Sequence, residues 1–154
     1  MPFRIRPFRK ADFQTLWSID QICFDPQLAY SRAELAFYMR RSGSFTLVAE
    51  TEAGAGQGVA ASTLGFVVAE VGRAKHGVKT GHIITIDVVP AARRSGVGSA
   101  LLDAAEQQLA EAGAGSVLLE TAVNNETALR FYSKKDISSK GQLRDTMPIS
   151  SMHW

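Results

Sequence analysis

Apolar and polar residues alternate at period two over Phe3-Arg4-Ile5-Arg6, the pattern of a half-buried strand, and Pro7 ends it. The period then lengthens. Phe13, Leu16, Trp17 and Cys23 fall at helical spacing, Ile19 and Ile22 widen the stripe, and Asp25-Pro26 stops it, which predicts a helix from about Asp12 to Phe24. Ser31 followed by Glu34 is a capping-box pattern that opens a second helix through Leu35, Tyr38 and Met39, ending near Arg41 to Gly43.

Strand signals follow. Phe45, Leu47 and Ala49 alternate against Thr46, Val48 and Glu50, and a longer β-rich run extends from Val59 to Val71. Gly54, Gly56 and Gly58 lie between them. They lead from strand to strand with no helix start, so they read as a hairpin turn rather than a phosphate cradle. Residues 73–81 read as a loop, Ile83 to Val89 as a strand closed by Pro90, and Val97, Leu101, Ala105, Leu109 and Ala112 as a helix ended by Gly113 and Gly115. Ser116 to Thr121 reads as a buried strand, and Asn125 can cap a last helix running to about Lys135. The order predicts one domain spanning 1–154, a mixed α/β sheet with helices on both faces.

Composition changes this picture little. With 154 residues, 45% hydrophobic and 21% charged, the chain fits a single globular core rather than a disordered segment. A formal charge of +2 gives no ground for nucleic-acid binding, and no apolar run reaches the roughly 20 residues of a membrane helix. Arg4, Arg6, Arg9 and Lys10 interrupt the opening segment where a signal peptide would be apolar, so a cytoplasmic location and no membrane partner are expected. The single cysteine, Cys23, sits in the apolar helical pattern and reads as a small buried hydrophobe. His76, His82 and His153 fit no metal-ligand spacing, and no metal is expected.

The chemistry concentrates after the fourth strand. In Val88-Val89-Pro90-Ala91-Ala92-Arg93-Arg94-Ser95-Gly96-Val97-Gly98-Ser99 a strand ends, a basic glycine-containing turn follows, and an amphipathic helix begins. Free amides and the positive dipole end at a helix N-terminus form an anion site, and glycines let a ligand approach the backbone. Arg93 and Arg94 add charge-assisted donors, so a phosphate or pyrophosphate ligand is expected. A Walker loop would need Gly-Lys followed by Ser or Thr, which is absent, and a dinucleotide fingerprint would need a glycine where Leu101 stands. That the glycines only let the turn pack closely stays open at this point.

Arg93-x-x-Gly96-x-Gly98, between a Val-x-Pro strand end and a helix, resembles the acetyl-CoA signature of the GNAT acetyltransferase superfamily. The resemblance implies the GNAT fold, with six to seven strands flanked by about four helices. It also implies that backbone amides from Arg94 through Ser95, Gly96, Val97, Gly98 and Ser99 hold the coenzyme pyrophosphate, with the pantetheine arm along the strand near Val88. A second segment, Leu119-Glu120 followed by Asn125-x-x-Ala128 and Phe131-Tyr132, is similar to the RimI-like branch of protein N-terminal acetyltransferases. Asn125 then serves as helix cap and cofactor contact, and Phe24 and Tyr30 correspond to a wall of the substrate groove. Past Lys135 the likeness weakens, Asp136-Ile137 standing where such proteins have Gly-Phe; a reduced hairpin around Arg144 to Pro148 is expected.

The reaction can be reasoned from the residues. An amine must lose a proton before it attacks a thioester, and an α-amine, with a reference pKa of about 7.7 to 8.0, needs less help than a lysine. Glu120 is the candidate base, directly or through water, and the Tyr132 phenol the candidate acid for the leaving thiolate. The expected activity is acetyl transfer from acetyl-CoA to a primary amine, a protein or peptide N-terminus first. A small-molecule amine, a lysine, or a CoA-binding module without turnover remain alternatives. The oligomer is expected to be a monomer or homodimer.

Overall fold

The computed structural model describes residues 2–52, 61–72, 77, 79–119 and 146–148. The glycines of the predicted hairpin turn, His76, Glu120, Asn125, Tyr132, the predicted last helix and His153 lie outside the described residues.

Strand β1 (Phe3–Pro7) leads through a 3-10 turn at Lys10–Asp12 into α1 (Phe13–Cys23). Helix α2 (Arg32–Arg40) opens on the predicted capping box: Ser31 Oγ accepts the Glu34 amide at 3.1 Å and Glu34 Oε1 accepts the Ser31 amide at 2.9 Å. Two amides that the helix ladder leaves over are thereby satisfied. Strands β2 (Ser44–Thr51) and β3 (Thr63–Val71) form the predicted antiparallel pair. Strand β4 (Lys79–Val88) begins four residues before the expected Ile83, because the polar stretch from Lys79 to His82 is paired with β5 throughout and with β3 from Gly81 on. After a 3-10 turn at Pro90–Ala92 come α3 (Val97–Glu111), β5 (Ala114–Leu119) and a short β6 (Thr146–Pro148). β5 starts two residues earlier than expected: Gly113, at φ 97°, ends the helix, while Gly115 lies within the strand.

The sheet order is β1-β2-β3-β4-β5-β6, and every neighbouring pair is antiparallel except β4 and β5. A parallel pair needs a crossover, and α3 supplies it. Six strands agree with the expectation; three α-helices lie among the described residues.

Helices cover both faces. On one, α3 packs Val97, Leu101, Leu102, Ala105 and Leu109 against Leu47, Val67, Ala69, Ile83 and Ile86. On the other, Leu16 and Ile19 of α1 and Leu35 of α2 meet Val48, Phe66, Val68 and Ile84. Double coverage explains why β2 and β3 are buried on both sides rather than on alternate residues. Gly81 lets α3 come close: a Cβ there would sit 2.9 Å from Leu109 Cδ1.

One irregularity positions the site. Thr85 pairs with Val68 and Ile83 with Ala69, so Ile84 is an extra residue in β4. A bulge of this kind shifts the alternation of the strand. Beyond it Thr85 and Asp87 share a face, joined by a hydrogen bond, while Ile86 belongs to the α3 side.

Candidate active site

Among the described residues β4 pairs with β5 as far as Ile83 and Leu119, and β4 itself runs on to Val88. The Val89 amide donates to Leu64 of β3 at 2.9 Å. Strand alternation therefore turns the peptide groups of Ile84, Ile86 and Val88 to the edge away from β3. Side chains reach two of these carbonyls. Tyr30 Oη donates to Ile84 at 3.4 Å, and Cys23 Sγ and Arg93 Nε donate to Val88 at 3.4 and 3.1 Å.

The basic turn follows directly. Arg94 at φ 65° and Gly96 at φ 88° both lie in the left-handed region, which coils residues 93–96 tightly before α3 begins. Ser95 Oγ closes the turn by donating to the Ala92 carbonyl. The first helical bond of α3 is that of Ala100 N–H to Gly96, so the amides of Val97, Gly98 and Ser99 precede the ladder. No side-chain cap meets them among the described residues. A Cβ built on Gly96 meets nothing within 4 Å, so open space lies over the turn. Helix dipole, orphaned amides and the exposed Arg94 make this a place for a phosphate-bearing ligand.

The two arginines do different things. Arg94 is exposed beside the open amides, whereas Arg93 is half-buried and its Nε is spent on the Val88 carbonyl. Val97 is buried in the core, so its side chain anchors the helix start and only its amide can face a ligand.

Phe24 is half-buried where α1 ends in an extended residue. Tyr30 is anchored more firmly. Its amide donates to Asp20 Oδ2 at 2.8 Å, its carbonyl accepts Trp17 Nε1 at 3.1 Å and Gln21 Nε2 at 2.7 Å, and its ring packs against Tyr38 at 5.3 Å between centroids. Both residues sit on the segment from α1 to α2, and Tyr30 reaches the Ile84 carbonyl of β4. Cys23 is half-buried, and burial, with the neighbouring Asp87 charge, pushes its thiol up to about 11. It is a packing group at neutral pH, as expected.

Two residues near the site went unread in the sequence. Asp20 and Asp87 are buried polar groups, 0% and 1% exposed, at the end of α1 and the end of β4. The available signal was a carboxylate set inside an apolar pattern: Asp20 falls four residues after Leu16, and Asp87 interrupts Ile83 to Val89.

Comparison with known proteins agrees with this geometry. Over 58 residues the chain is 41% identical to an N-alpha-acetyltransferase of Sulfurisphaera tokodaii, a stretch that makes up 37% of this chain and 35% of that protein. The structure of Ard1 from Thermoplasma volcanium superposes with a TM-score of 0.67 at 29% identity, covering 87% of this chain and 81% of that one. A chain of the NatC complex bound to Gag peptide and CoA shares the fold, with a TM-score of 0.69 at 18% identity, over 87% of this chain and 83% of that one. Residues 11–136 match the Acetyltransferase (GNAT) family, and the chain belongs to it.

Proposed function

We propose that this chain is an N-acetyltransferase that takes acetyl from acetyl-CoA and passes it to the α-amine of a protein or peptide N-terminus, in the manner of the RimI-like branch. The observation that carries the reading is the left-handed turn at Arg94 to Gly96. It opens onto amides that precede the helix ladder, at the end of β4. The amides of Gly96 to Ser99 with Arg94 hold the coenzyme diphosphate. The pantetheine arm lies along the β4 edge, and Ile86, between the two carbonyls that side chains already occupy, offers it a peptide group. The N-alpha-acetyltransferase relative supports an N-terminal acceptor.

Glu120 takes the proton from the acceptor amine, whose nitrogen then attacks the thioester carbonyl. The C–S bond breaks, and Tyr132 supplies the proton that lets CoA leave as a thiol. Asn125 touches the coenzyme; Phe24 and Tyr30 line the acceptor wall. No covalent enzyme intermediate is needed.

The test pairs calorimetry with turnover. Acetyl-CoA should bind, and a panel of peptides with free N-termini should release CoA thiol faster than polyamines, amino sugars or lysine side chains do. Glu120→Gln should depress the rate most at low pH, and Tyr132→Phe should slow turnover while leaving coenzyme affinity in place. Tight binding with no acceptor acetylated would make the chain a binding module, and full activity in both variants would remove these two residues from the mechanism.

A further inference from the structure

Between α1 and β4 the protein buries two carboxyls in contact. The Asp20 and Asp87 side chains lie within hydrogen-bonding reach of each other, and neither meets solvent. Each has one oxygen engaged elsewhere: Asp20 Oδ2 accepts the Tyr30 amide at 2.8 Å, and Asp87 Oδ1 accepts the Thr85 hydroxyl at 2.6 Å. The oxygens left over, Asp20 Oδ1 and Asp87 Oδ2, are buried with no donor among the described residues. Two buried acceptors in contact repel unless a proton lies between them, and one proton turns both into a single strong O–H···O bond.

Among the described residues little else can neutralise the pair. Cys23 faces it from α1 and Arg93 from the turn after β4. The Tyr30 phenol is engaged with Ile84, and α2 adds Leu35 and Tyr38 to the layer. β2 and β3 contribute Val48, Phe66 and Val68. Farther along this face Glu70, opposite His82 across the strands, is paired with Arg41, and Glu50 is paired with Arg4 and Arg6. Burial first, and the neighbouring Asp20 second, hold Asp87 well above the ordinary carboxylate range despite Arg93.

The pair also joins two functional segments. Asp20 grips the amide of Tyr30, the last residue before α2 is capped, and Asp87 immediately precedes Val88. We propose that Asp20 and Asp87 share one proton and act as positioning residues, latching the acceptor wall at Tyr30 to the coenzyme strand at Val88. The effect on catalysis, though not the latch itself, rests on the acetyl-transfer reading above. Losing the shared proton sets two buried anions side by side and loosens the wall. Because the folded protein keeps a proton that the unfolded chain releases near 3.8, this contribution to stability is full at low pH and is lost as pH rises through the raised folded value.

Asp87→Asn is the informative variant, since its amide donates permanently to Asp20 where the shared proton would lie, and its carbonyl still accepts from Thr85. Difference infrared spectroscopy of the wild-type protein should show the carbonyl band of a buried protonated carboxyl, absent in the variant. As pH rises through the raised folded value, Tyr30 amide exchange, corrected for its intrinsic pH dependence, should quicken about tenfold in the wild type and hold level in Asp87→Asn. KM for a peptide acceptor should follow the same split, with kcat changing less. No protonated-carboxyl band, or equal exchange in both proteins, overturns the latch; equal KM profiles overturn its role in positioning the acceptor. A protein that acetylates no amine yet shows the band and the exchange split loses the proposed function and keeps the latch.

Discussion

Arg93 Nε donates to the Val88 carbonyl at 3.1 Å, so the first arginine of the basic turn faces back into the protein and fastens the turn to the end of β4. Arg93→Met keeps most of the apolar stem and removes the donor, leaving, among the described residues, the weak Cys23 thiol on that carbonyl. A loss of about 1 kcal/mol in stability is expected from the broken bond. Coenzyme affinity should fall about fivefold as the turn loosens, a size that matches the same free energy. Arg93→Lys should not restore either, because the ammonium lies beyond the Nε position that makes the bond. Thermal unfolding and calorimetry with acetyl-CoA check both quantities.

Gly96 and Arg94 separate backbone strain from charge. Gly96→Ala adds a Cβ that touches nothing, so the apo protein should lose only the roughly 1 to 2 kcal/mol of holding a non-glycine residue at φ 88°. Coenzyme binding should suffer more, by tenfold or greater, because the same empty space is where the diphosphate is proposed to lie. Arg94→Gly makes the opposite trade. It relieves the strain at φ 65° and should raise the melting temperature, while weakening coenzyme binding through the lost cation. A Gly96→Ala protein that binds acetyl-CoA as well as the wild type would move the ligand elsewhere.

Much of this arrangement was legible before any coordinates. The Ser31 and Glu34 capping box, the helix start at Val97 and the turn between β4 and α3 are local features, set by spacing and by the chemistry of helix ends. The start of β4 was not legible, because Lys79 to His82 is polar and becomes strand only by pairing with β3 and β5. Nor was the bulge at Ile84, which no period-two pattern announces. Arg93 reads as a ligand contact from its charge and its place in the Arg93-x-x-Gly96-x-Gly98 pattern; that its half-buried side chain also reaches a main-chain carbonyl five residues earlier is not legible from either. The Asp20 and Asp87 contact joins residues 67 positions apart, and only the packing of α1 onto β4 creates it.

The opening strand carries a pH prediction of ordinary sign. Arg6 places its guanidinium between Asp12, with two bonds of 2.8 Å, and Glu50 at 3.0 Å. The Arg6 hydrogen bonds hold Asp12 below its ordinary value of 3.8. Burial alone would raise Glu50, but Arg4 and Arg6 outweigh it and hold that carboxyl low as well. Depressed folded values mean that the unfolded chain binds more protons in the window, so this stability is present above the ordinary carboxylate range and is lost as pH falls through the folded values. Asp12→Asn should cost about 1 kcal/mol at neutral pH and flatten the acid limb of the unfolding curve. Parallel acid limbs in the two proteins would assign acid sensitivity to other carboxylates.

The Cys23 thiol offers a direct reading of how tightly the α1 end closes on β4. Its pKa, pushed up to about 11 by burial and by the Asp87 charge, leaves about one thiol in a thousand ionised at pH 8. A free cysteine near 8.5 is about a quarter ionised there, so alkylation by iodoacetamide should run on the order of a hundredfold slower in the folded protein than after denaturation. Cys23→Ala should be well tolerated, since Arg93 remains on the Val88 carbonyl. Asp87→Asn leaves the pair's single negative charge on Asp20, and burial, the larger cause, is unchanged, so labelling should change little. Folded protein that reacts as fast as unfolded would mean that α1 opens from β4 readily. A thiol that ionises so little while the helix stays closed ties its labelling rate to the contact that brings Asp20 to Asp87.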